Sequence, residues 1–141
     1  VGLRKANAVG VIDMAKLELM KTIETGPDAN RLYLNPGNSR YGLFANEAGK
    51  SDIVSIIDTQ KDVKVKDIWT GLGPHNVAFD PDGKFAVIST KKENVATLVD
   101  TGSADPNDWD VITTDLDSGI QNNGVRWVPS PAALKKALAQ N

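Results

Sequence analysis

Cysteine is absent from this 141-residue chain, and histidine occurs once, at position 75. Without cysteine there are no disulfides, no thiolate metal sites and no cysteine nucleophile. With a single histidine, no mechanism that draws two imidazoles from this chain is available. Excess positive charge is also missing: 16 Lys and Arg against 18 Asp and Glu leave a net charge of −2. That excludes the basic face on which nucleic-acid binding depends. No apolar run approaches the roughly 18 residues of a membrane helix. The first residues show no charged-then-apolar pattern, so a secretory signal is expected to be absent or removed. There is no phosphate loop and no Gly-x-Gly-x-x-Gly. Spacing does not place Ser89 or Ser118 against His75, so no hydrolase triad can be argued.

What is present is ordinary in bulk and periodic in detail. A hydrophobic content of 40% and a charged content of 24% are those of a globular domain with a real core. Three segments end in the same pattern: Val11-Ile12-Asp13, Ile56-Ile57-Asp58 and Leu98-Val99-Asp100. Their aspartates are 45 and then 42 residues apart. A second landmark lies between them, in the segments Asn30 to Pro36, His75 to Pro81 and Asn123 to Pro129. Its prolines are spaced by 45 and then 48 residues. Two independent landmarks with one period indicate an internal repeat.

Each unit carries only strand signals. In the best-preserved copy, residues 76–79 form a short strand and Asp80-Pro81-Asp82-Gly83 a turn. Strands then follow over 85–90, 95–100 and 109–114. The preceding unit matches with strands over 31–34, 41–46, 53–58 and 63–69. The N-terminus aligns as a second strand, a third ending at Asp13 and a fourth over 17–25. Four strands in about 40–45 residues is the signature of a propeller blade. The expected fold is all-β, with about three blades' worth of four-stranded antiparallel sheets. A partial blade covers 1–26, full blades cover 27–71 and 72–119, and the first strand of a further blade lies in 120–129. Ser130-Pro131 opens a short C-terminal helix or tail over 130–141.

These residues resemble the YVTN family of β-propeller repeats. Ile57-Asp58-Thr59, the lead-in Gly71 to Pro74, Val77 to Phe79 and Pro81-Asp82-Gly83-Lys84 carry the resemblance. Asn35-Pro36-Gly37-Asn38 departs from the family's Pro-Asp-Gly turn. The resemblance covers about residues 1–129. It implies a propeller segment whose ring is completed by other blades, from the same protein or a partner chain, since three blades do not close one. A dimer of two three-blade arcs is one such arrangement. The resemblance also implies a periplasmic or extracellular location. Its first functional implication is a non-catalytic binding or assembly scaffold. The alternative is part of a propeller redox metalloenzyme. Pro74-His75-Asn76-Val77 is similar to the contexts in which copper- and haem-dependent propellers aim ligand histidines into the central channel. Sugar or lactone chemistry has no residue here that demands it.

The candidate channel-rim residues are therefore His75, the equivalent Asn30 and Asn123, and the adjacent Asn76. His75 is a metal-ligand candidate, or else a rim histidine capping a turn or lining a pocket. Asparagines are poor ligands for a transition metal, so a copper or haem site would need histidines from other blades. Asp80 to Gly83 lacks the further ligands of a calcium loop. Asp13, Asp58 and Asp100 recur in every unit, which points to acceptors for turn N–H groups. Asp105, Asp108, Asp110, Asp115 and Asp117 surround one outer strand, as a solvated edge that discourages strand pairing or as an attractor for a cation or basic partner. Trp69, Trp109 and Trp127 are expected to pack between blades.

Overall fold

The computed structural model describes residues 1–118 and 124–126. Among these, eleven strands form three antiparallel sheets. The first sheet holds β1 (Gly2–Leu3), β2 (Ala8–Asp13) and β3 (Glu18–Glu24). The second holds β4 (Ala29–Leu34), β5 (Tyr41–Asn46), β6 (Ile53–Asp58) and β7 (Val63–Trp69). The third holds β8 (Pro74–Phe79), β9 (Phe85–Thr90), β10 (Val95–Asp100) and β11 (Asp110–Asp117). Each sheet is a meander in which sequence neighbours pair, the order of a propeller blade. Residues 124–126 carry no regular structure. The rest of the strand expected up to Val128, the helix expected over 130–141, Asn123 and Trp127 lie outside the described residues.

The strands alternate as the pleat requires, and in the middle strands both faces are apolar. On β5 and β6, Phe44 and Ile57 point toward the first blade and Leu43, Val54 and Ile56 toward the third. Two cores result. Val9, Ile23, Ala29, Phe44 and Ile57 fill the space between the first and second blades. Leu43, Val54, Ile56, Ile68, Val77, Ala86, Ile88, Val99 and Trp109 fill the space between the second and third. Trp109 is one expected inter-blade tryptophan found in that place: it meets Tyr41 edge-on, with ring centroids 6.0 Å apart. Trp69 is not another. It is exposed at the end of β7, where its indole N–H donates to Asp52 Oδ2 at 2.8 Å within its own blade. A partner inside the blade satisfies the one polar atom that a packed indole would otherwise have to bury.

The recurring aspartates fasten the turn after each third strand. Asp13 Oδ1 accepts from the N–H groups of Ala15 and Lys16 at 2.8 and 3.1 Å, and Asp58 Oδ1 from those of Gln60 and Lys61 at 3.0 and 3.1 Å. Asp100 Oδ1 accepts from Gly102 N–H at 2.9 Å. Asp58 is also held by Arg40, whose NH2 lies 2.7 Å from Oδ2. That guanidinium, with the two turn N–H groups, lowers the Asp58 pKa from 3.8 to about 2 against the opposing effect of burial.

The inner turn of the third blade is clasped by its neighbours. Gly83 has φ of +70°, and its carbonyl accepts from Asn35 Nδ2 of the second blade and from the Thr101 hydroxyl, each at 2.8 Å. A Cβ on Gly83 would sit 1.8 Å from Asn35 Oδ1. The same asparagine caps its own turn, accepting from Gly37 N–H at 2.7 Å. Asn35, the counterpart of Asp80 in the second blade, thus becomes the clasp on the third.

Two outcomes are expected. Gly83→Ala combines a positive φ with a clash against a buried side chain, so it should destabilise the fold by about 2 kcal/mol or more in urea denaturation. For Asp58, the unfolded carboxylate takes up a proton near its ordinary 3.8 while the folded one resists until about 2. Its stabilisation is complete above the unfolded value and is lost as pH falls through the folded one. Asp58→Asn should therefore flatten the fall in melting temperature across that acid window, as read by scanning calorimetry at a series of pH values.

Candidate functional site

At the end of the blades where the innermost strands begin, the described structure gathers a polar cluster from all three sheets. Both innermost strands are bulged there. The register of β4 against β5 slips between Ala29 and Arg31, and that of β8 against β9 between Pro74 and Val77. Asn30 and His75 sit at these two slips. A bulge re-aims the side chain that it carries, and here the two are brought to one carboxylate. Glu47 Oε1 accepts from Asn30 Nδ2 and lies 3.3 Å from His75 Nε2. Its Oε2 lies 3.3 Å from Lys91 Nζ and 3.9 Å from Arg4 NH2. Only 4% of the Glu47 side chain is exposed. Arg4 is in turn forked onto Asp28, at 2.5 and 2.6 Å, and each partner shifts the other's pKa toward its charged form.

Asn76, one residue further along β8, serves the neighbouring blade. Its Oδ1 accepts from the Tyr33 hydroxyl at 2.5 Å and from Arg31 NH1 at 3.3 Å. Three of the four expected rim residues are therefore brought together: His75 and Asn76 bond across to the second blade, and Asn30 bonds to Glu47 within its own blade. The fourth, Asn123, lies outside the described residues.

The residue at the centre of the cluster, Glu47, was not among those expected, nor were Arg4 and Lys91. A signal for them exists. Each is the first residue after the second strand of its own blade: Arg4 after β1, Glu47 after β5 and Lys91 after β9. Their signs run plus, minus, plus, so one repeat position carries a charge ladder across the blade boundaries.

A second concavity lies at the opposite end of the sheets. It is a groove of about 690 Å³ between the second and third blades, with Arg40, Tyr41, Asp58, Lys61, Asp105 and Asn107 among its walls. Within it Arg40 is forked onto Asp58 and stacks 4.9 Å from the centre of the Tyr41 ring. Asp105 caps the short turn before Trp109, and Asp108 accepts from the Ser103 hydroxyl at 3.0 Å. Asp110, Asp115 and Asp117 are exposed along β11, the outer edge of the third blade. The five aspartates therefore line a loop and an edge and do not converge on one point.

No family model and no curated protein matches the chain. Solved structures do. Hydrazine synthase of Kuenenia stuttgartiensis is 25% identical, with a TM-score of 0.64 over 79% of this chain and 33% of that one. The dihydro-haem d1 dehydrogenase NirN is 18% identical, with a TM-score of 0.65 over 89% of this chain and 26% of that one. AztD of Citrobacter koseri is 10% identical, with a TM-score of 0.60 over 88% of this chain and 35% of that one. These neighbours are propeller-type folds, and the likeness identifies the fold of this chain as the same. The chain spans about a third of their length or less.

Removing the shared acceptor should be costly. Glu47→Ala leaves Asn30, His75 and Lys91 facing one another without their carboxylate, and should destabilise the fold by about 2 kcal/mol. Urea titration checks this, and Glu47→Gln should recover part of the loss through the Asn30 contact.

Proposed function

We propose that this chain is a propeller segment acting as a non-catalytic binding or assembly scaffold, of the repeat type that the YVTN resemblance implies. Its ring is completed by other blades, and it works in the periplasm or outside the cell. The observation that carries this reading is the use to which the rim is put. His75 and Asn76 contact residues of the adjoining blade, and the carboxylate of Glu47 holds His75 together with Asn30 of its own blade.

The alternative, a redox propeller with copper or haem at the channel mouth, requires His75 to be a metal ligand. The donors around it do not fit that group. Arg4 and Lys91 approach the same carboxylate to within 4 Å, so a metal cation would enter against two positive charges. The remaining neighbours, Asn30 and Asn76, offer amides, which are weak ligands for such metals. The hydrazine synthase and the dehydrogenase are proteins of which this chain covers about a third or less, and this stretch is compatible with a supporting arc within such a ring.

Metal analysis and an optical spectrum of the purified protein test the proposal. The expected result is a colourless protein in which His75→Ala lowers stability by about 1 kcal/mol through the lost Glu47 contact. Stoichiometric copper or haem that disappears in His75→Ala would overturn it in favour of the redox enzyme.

A further inference from the structure

The outer face of the first blade repeats, position for position, faces that are buried elsewhere in the molecule. By strand register, Ile12 on β2 corresponds to Ile57 on β6 and Val99 on β10. Val1, beside β1, corresponds to Phe44 and Ile88. The preceding blade leaves Phe44, Ile57, Ile88 and Val99 at most 2% exposed. In the first blade Ile12 is 39%, Val1 64% and the adjacent Leu19 57% exposed. The face is shaped and coloured for a sheet of the same kind, and a Cβ on Gly10 would touch Val1, Leu3 and Leu19 there, which marks those side chains as one continuous surface.

Charge at the rim says which sheet. Glu47 touches Arg4 of the blade before it and Lys91 of the blade after it, so rim residues of successive blades meet. A blade docked on the first one thus places its own rim turn beside Arg4. The turns at the two ends of the segment carry a net positive charge, Arg4-Lys5-Ala6-Asn7 and Lys91-Lys92-Glu93-Asn94, whereas the middle one opens on Glu47 and carries no net charge through Lys50. A second copy docked head to tail would set Lys91-Lys92 against Arg4-Lys5.

We infer that the outer face of the first blade receives a β-propeller blade carrying Asp or Glu in the turn after its second strand, and that the chain's own third blade is rejected by like charge. The inference rests on the assembly reading above and adds the chemistry of the partner. Alternation of sign along the rim orders the blades: the apolar faces supply adhesion to any blade, and the charges select among them.

Sedimentation of the 141-residue chain tests it, with the chain's own copies as the probe. Wild-type self-association should be weak at low salt and should tighten between about 50 and 500 mM NaCl, as screening removes the repulsion. Lys92→Glu lies on an exposed turn and leaves the Lys91–Glu47 contact in place. It should self-associate at least about fivefold more tightly at low salt and loosen as salt rises. Adding Ile12→Asp to that variant should abolish the gain. The inference is overturned if Lys92→Glu associates no more tightly than wild type, if wild type loosens with salt, or if the gain survives Ile12→Asp. Should Lys92→Glu fail to fold by circular dichroism, the wild-type salt response decides alone. Copper or haem at His75 would sink the scaffold reading in the separate metal test and leave these salt responses as they are.

Discussion

The second sheet has two apolar faces, and it can bury neither by itself. A meander of four short strands satisfies its backbone through its own ladder, but its side chains have nothing inside the blade to pack against. Each face must be covered by another blade, and every other feature described follows from that requirement. The two cores are boundaries between sheets. Trp109 and Tyr41 meet across one of them. The polar clasps at either end, Asn35 on Gly83 and Glu47 among Arg4, Asn30, His75 and Lys91, fix the angle at which adjoining sheets face each other.

The apolar contacts are permissive and the polar ones are selective. Isoleucine against valine tolerates sliding and substitution at modest cost. A carboxylate that is almost wholly buried tolerates neither, because any displacement leaves it unpaired. That division explains why a propeller segment places its chemistry-bearing side chains at the blade ends and leaves the middle of each interface to aliphatic residues. It also explains how His75 sits in a motif similar to that of metal-binding propellers and still makes a bond between blades.

Much of this was legible in the residues. The repeat period, the all-β class, the turn at Asp80 to Gly83 and the capping work of Asp13, Asp58 and Asp100 depend on contacts within a few residues, and local chemistry reveals them. What depends on neighbours distant in sequence was less visible. The innermost strands begin at Ala29 and Pro74, earlier than expected, because the bulge that carries Asn30 or His75 breaks the alternation on which strand recognition relies. Trp69 was expected between blades and is exposed, because one aspartate in a facing loop decides its orientation. Glu47 escaped notice because its meaning lies in Arg4 and Lys91, its counterparts in other repeats, and the spacing that links them is interrupted by turns of unequal composition.

The arrangement also sets how order is distributed along the chain. Among the described residues, the central blade meets another blade on each of its two apolar faces. Amide protons on β5 and β6, which pair on both sides, are therefore expected to exchange with solvent more slowly than those on the edge strands β3 and β11. The rigidity of the segment is thus a property of position in the stack, and a blade that docks on either flank hardens sheets that it never touches.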